Sequence, residues 1–160
     1  MRRGWRNTLI GLGVVVVGIQ FVPVRRDNPP VTANLESPPA VAEVLRQSCY
    51  DCHSNETHWP WYSHVAPVSW FVAHDVHEGR QHMDFSRWGE MSPQRQYVLT
   101  KEIRKLTEKG AMPLPMYLLM HRAARLSAED HQVLDAWVTS QVGPEASQGG
   151  SEQGGEHEAP

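Results

Sequence analysis

Cys49-Tyr50-Asp51-Cys52-His53 holds both cysteines of a 160-residue chain. Two cysteines are too few for a disulfide scaffold, and a pair this close points to redox, metal or haem chemistry. His53, directly after the pair, separates those options, because Cys-x-x-Cys-His is the spacing of a c-type haem attachment site. Two thiols one turn of backbone apart reach the vinyl groups on neighbouring pyrrole rings, and the next imidazole can swing under the iron as proximal ligand. The expectation is one covalent haem c per chain, bound through Cys49, Cys52 and His53, with His53 on the metal. A structural zinc site wants four ligands and would need His53 plus another, distant histidine. A thioredoxin-like pair needs a preceding strand and a parallel sheet, which this sequence does not offer.

A sixth ligand is sought further along. Gly110-Ala111-Met112-Pro113 lies between two helical stretches, where a thioether can approach the iron from the other side and the proline stiffens the loop. Met112 is therefore the expected second iron ligand, with Met116, a histidine or an open site as alternatives; a core-filling role is the ordinary fate of a methionine. His58, His64, His74, His77 and His82 crowd the middle of the chain. His74 and His77 share a helix face, an arrangement open to a second metal or a bis-histidine haem, although such residues are usually solvated. Trp59, Trp61, Tyr62, Trp70 and Phe71 can wall a flat macrocycle or serve as ordinary core.

Outward from the motif the signals are helical. Ser37-Pro38 supplies an N-cap and a first-turn proline, and Val41, Val44 and Leu45 form an apolar stripe running into Cys49. A helix is expected from Pro67 to His77, closed by Gly79. Ser92-Pro93 opens another, with Leu99, Ile103 and Leu106 on one face and Gly110 closing it. Pro115 starts a short helix, and Ser127 with Asp130 forms a capping box ahead of Leu134, Trp137 and Val138. Gly143-Pro144 ends that last helix. Sustained strand alternation is missing, so the fold class is all-α, with an N-terminal transmembrane anchor and a disordered C-terminal tail expected on either side of the helical haem domain.

The anchor is expected within residues 1–26. Arg2, Arg3 and Arg6 precede Thr8 to Val24, a nearly uncharged run close to the lower limit of about 17 residues for a membrane span. Without an obvious cleavage site it reads as an uncleaved signal anchor, its more basic end in the cytoplasm and the rest of the chain on the periplasmic or extracytoplasmic side. Residues 27–36 are proline-rich and read as an extended linker that holds the domain off the membrane. Residues 37–142 form the haem domain, and 143–160, rich in Gly, Ser, Gln and Glu, a disordered tail. Net charge is −3, and removing the four tail glutamates leaves the remainder near neutral. Such a chain has no broad basic field for nucleic acid.

These residues together resemble the haem-binding domain family related to cytochrome c, in which CxxCH is followed by a Trp- and Pro-rich segment. Here that segment is Ser54-Asn55-Glu56-Thr57-His58-Trp59-Pro60-Trp61-Tyr62. Met112-Pro113, Tyr117, His121 and Leu126-Ser127-x-x-Asp130 through Trp137 are similar to the family's closing segment. The resemblance spans about residues 37 to 142 and implies a cytochrome c-like fold with iron between His53 and Met112. The interval from Cys52 to Met112 is long and histidine-rich for a minimal cytochrome c, which leaves the distal ligand open.

A haem with both axial positions filled by protein has one-electron exchange as its chemistry. Electron transfer with redox partner proteins at the membrane, rather than catalysis, is therefore the expected function. A haem enzyme or a gas or redox sensor, with an open or displaceable distal site, is the rival.

Overall fold

The structure, a computed structural model, describes residues 2–142, without the side chains of Arg2 and Arg3. The expected disordered tail and the Gly143-Pro144 stop lie outside the described residues. All described regular structure is helical: α1 (Arg2–Gly18), α2 (Pro39–Ser48), α3 (Tyr50–His53), α4 (Val68–His82), α5 (Pro93–Glu108), α6 (Pro115–Met120) and α7 (Ala128–Val142), with four short 3-10 turns between them. The all-α expectation stands. The described chain divides into two compact units, which meet in sequence between Met91 and Ser92.

In the first unit, α2 opens on Pro39, whose missing N–H costs nothing in a first turn. Its apolar stripe buries Val41, Val44 and Leu45, and α2 leads directly into the single turn of α3. The core continues into stacked Tyr50 and Phe85, with ring centroids 5.2 Å apart, and on to Trp88. Fully buried Phe85 opens the 3-10 turn Phe85–Glu90, capped by Asp84, whose carboxylate accepts from Ser86 N–H at 2.8 Å. Helix α4 packs against α3 and against the 3-10 turn Trp61–His64. It runs on to His82, straight through Gly79, where the sequence suggested a stop.

Two expectations for the N-terminal third are corrected. Among the described residues no helix is long and apolar enough to cross a membrane. The 17 residues of α1 begin with its arginines, and the uncharged part inside the helix runs only from Asn7 to Gly18. At 1.5 Å per residue that part rises about 18 Å, well short of a hydrocarbon core of about 30 Å. A 3-10 turn, Ile19–Phe21, follows, and the chain is extended from Val22. The remaining residues counted toward a span therefore lie outside α1. Residues 27–36 are extended, as proline content dictates, but are not a free spacer. Thr32 and Ala33 N–H both donate to Ser86 C=O at 3.1 Å, Leu35 N–H donates to Phe85 C=O at 2.8 Å, and Gly89 N–H donates back to Ala33 C=O at 2.9 Å. Leu35 is buried.

The second unit is built on α5 against α7. Ser92 Oγ caps α5 by accepting from Arg95 N–H, and Gly110, at φ +63°, takes the left-handed conformation that closes it. The Ser127–Asp130 capping box forms reciprocally: Asp130 N–H donates to Ser127 Oγ at 3.1 Å and Ser127 N–H to Asp130 Oδ2 at 2.7 Å. Leu99 and Ile103 of α5 and Leu134, Trp137 and Val138 of α7 are buried.

Candidate functional site

The first unit brings Cys49, Cys52 and His53 onto one turn. Cys49 ends α2 and starts α3; its carbonyl accepts from Cys52 N–H at 3.2 Å and from His53 N–H at 3.0 Å. Both cysteines are free thiols. Burial first, then the neighbouring Cys52, pushes Cys49 up to about 12. Burial, then Asp51 and Asp75, likewise pushes Cys52 up to about 12, against the pull of Arg80. Both sulfurs are therefore protonated at neutral pH. Tyr62 shares these surroundings: burial first, then the neighbouring Asp51 and Cys52, raises its pKa.

His53 is oriented by the end of α4. Its Nδ1 lies 3.0 Å from Gly79 C=O and 3.1 Å from Met83 C=O. Two carbonyls can only accept, so Nδ1 carries the proton and Nε2 the lone pair. Nε2 has no hydrogen-bond partner among the described residues. Burial lowers the His53 pKa, against the two carbonyls that favour the charged form, and this keeps the ring neutral, as a metal ligand must be. The ring also meets the edge of Phe85 at 6.2 Å.

Gly79 makes this approach possible. A Cβ there would lie 2.5 Å from the carbonyl oxygen of Cys52 and 3.2 Å from its Cβ. The glycine thus lets α4 sit directly on the backbone of the cysteine turn, and a lone glycine inside a helical pattern is the sequence signal for such contacts. Arg80, the next residue, also supports the site, and for it the sequence gives no signal. Its Nε donates to Ser54 C=O at 2.7 Å, Nη1 to Asp27 C=O at 2.9 Å, and Nη2 to Thr57 Oγ1 at 2.7 Å and Asn28 Oδ1 at 3.0 Å. One guanidinium joins the 27–36 strap, the residue after His53 and the loop beyond it. Asn55 adds a bond from Nδ2 to Pro30 C=O at 3.0 Å.

Met112 stands in the second unit, on the loop closing α5. Ala111 and Met112 N–H both donate to Leu106 C=O, at 2.9 and 3.2 Å, and the Met112-Pro113 bond is cis. Met116 is exposed. His74 and His77 are exposed on α4, and His77 pairs with Gln81 at 2.7 Å. Among the described residues no group of three or more His, Cys, Asp or Glu side chains is arranged to hold a metal ion, so the zinc alternative gains no ligand set. Of the expected aromatic wall, Trp61 and Phe71 are largely exposed.

Residues 14–140 match the model of the haem-binding domain family. The chain belongs to that family. The match takes in the cysteine turn, α4 and the Met112 loop, and a haem-binding domain binds haem. No curated protein and no solved structure gives a match. The residues present fit the cofactor: two unpaired thiols on one turn, and a neutral imidazole whose free lone pair is fixed by hydrogen bonds on the opposite nitrogen. That last feature is the outer-shell support that ligating histidines commonly have.

Proposed function

We propose that this haem-binding domain carries a single haem of the c type, joined through thioethers to Cys49 and Cys52, with His53 and Met112 as the iron's ligands, and that it transfers single electrons outside the cytoplasm. The observation that carries the reading is the pair of carbonyls on His53 Nδ1, which leaves Nε2 as the available donor beside two free thiols. Bound there, haem supplies reversible one-electron chemistry. The chain's own residues hold the imidazole neutral and oriented through Gly79 and Met83, and fix the cysteine turn through Arg80.

A basic start followed by an apolar helix has the make-up of an export signal. The apolar side chains of α1 are exposed, and we assign them to lipid contact, which keeps the domain near redox partner proteins at a membrane surface. The test is a denaturing-gel haem stain and intact mass of protein matured with export and haem-ligation machinery. The proposal expects one porphyrin mass on the wild-type chain and none on the Cys49→Ser, Cys52→Ser variant. A wild-type chain without added mass would sink covalent attachment. Rapid, complete carbon monoxide binding by the reduced protein would instead favour a sensor or enzyme with an open distal site.

A further inference from the structure

The first unit carries an exposed apolar surface besides Cys49, Cys52 and His53. Phe21 is 81% exposed and Trp61 72% exposed, and Val22, Val65 and Val68 are also exposed. These residues are far apart in sequence, but Gln20 joins them. Its Oε1 accepts from Ala66 N–H at 2.9 Å and its Nε2 donates to Ala66 C=O at 3.2 Å. The clamp sets Phe21 and Val22, which follow Gln20, beside Val65 and Val68, which flank Ala66. Arg26 adds a second tie, Nη1 donating to Ser63 C=O at 3.2 Å.

We infer that the first unit rests directly on a phospholipid surface through Phe21, Val22, Trp61, Val65 and Val68, an inference that rests on the proposed lipid contact of α1. Three observations favour lipid as the occupant. The patch is continuous with α1 through the Gln20 clamp, and the large apolar side chains of α1 from Leu9 to Val17 are exposed on every face of the helix. From Thr57 to His74 the chain has no Asp, Glu, Lys or Arg, so the surface brings no formal charge toward the acyl boundary. Arg26 is tied to Ser63, two residues from exposed Trp61, and an indole ring with a cationic side chain is the composition of a membrane interface, where both meet headgroups. The two hydrogen-bonded ties make the domain a fixed rider on the membrane rather than a head on a loose tether.

The test uses the full haem-loaded chain, isotope-labelled, with nanodiscs of phosphatidylcholine and phosphatidylglycerol, one set carrying a headgroup nitroxide and one without it. Nuclear relaxation of the Trp61 indole N–H and the Val65 and Val68 amides is compared with that of Glu43 on α2. The expected result is co-elution with nanodiscs and relaxation enhanced several-fold at 61, 65 and 68 relative to 43. In the Trp61→Ser, Val65→Ser variant the enhancement at Val68 falls several-fold while co-elution persists through α1. Co-elution with equal relaxation at all four sites would overturn the docked face and leave lipid contact by α1 standing. Failure to co-elute would overturn both.

Discussion

Gly79→Ala is expected to destabilise the first unit even though alanine is the better helix former. Alanine in place of glycine inside α4 gains about 1 kcal/mol of helix propensity. Against this, the new Cβ meets the Cys52 carbonyl oxygen at 2.5 Å. That atom is backbone within a turn and cannot rotate away, so α4 must retreat by about 1 Å to restore van der Waals contact, an overpacking that costs about 1–3 kcal/mol. The same retreat stretches the 3.0 and 3.1 Å contacts from His53 Nδ1 beyond hydrogen-bonding range. Each such bond contributes about 1 kcal/mol net. The balance is a loss of about 2–4 kcal/mol, read as a lower urea midpoint for the loss of native helix. Glu78→Ala, one residue earlier on the exposed side of α4, serves as control and should stay within about 0.5 kcal/mol of wild type. A Gly79→Ala protein as stable as wild type, or more so, would refute the close packing of α4 on the cysteine turn.

Other outcomes follow from the same geometry. In the haem-free folded chain at pH 8, thiols raised from 9.0 to about 12 should alkylate about a thousandfold more slowly than in urea, because three pH units separate the thiolate populations; equal iodoacetamide rates would contradict the buried turn. His53 has a folded-state pKa below 6.5. The unfolded chain therefore binds the extra proton first, so the haem-free chain keeps this contribution above pH 6.5 and loses it as pH falls toward the folded value. Urea midpoints measured between pH 7.5 and 5 should fall, with a shallower slope in His53→Gln. Arg80→Met removes four donated bonds and should cost about 2–4 kcal/mol, at about 1 kcal/mol or somewhat less for each, with little rescue by Arg80→Lys, whose ammonium lacks the planar fork. Met112→Ala should abolish the sulfur-to-iron charge-transfer absorption while the pigment stays on the chain; persistence of that band would assign the ligand elsewhere.

The helix ends best read from sequence are those decided by their own neighbours. Ser92-Pro93 and Gly110 bracket α5 because a cap, a first-turn proline and a left-handed glycine act within four residues of the end they define. The Ser127–Asp130 box is equally local. Gly79 was opaque for the opposite reason: a glycine late in an apolar pattern resembles a helix stop, and its actual role is contact with Cys52, 27 residues away. Hydropathy counted Thr8 to Val24 as one segment, but the helix ends inside it at Gly18, and only helical residues set its rise. The prolines of 27–36 specify extension and nothing about what the extended chain binds.

Helical periodicity was enough for the all-helical class, resemblance for the haem-binding family, and the CxxCH spacing for naming Cys49, Cys52 and His53 as candidate donors, since thiol and imidazole chemistry travels with residue type and a one-turn separation is built into the motif. Which nitrogen of His53 faces outward, why position 79 must lack a side chain, and what ties the proline-rich strap to the cysteine turn were decided only by tertiary structure. Each depends on backbone carbonyls, which every residue possesses alike, so only their placement in space distinguishes them.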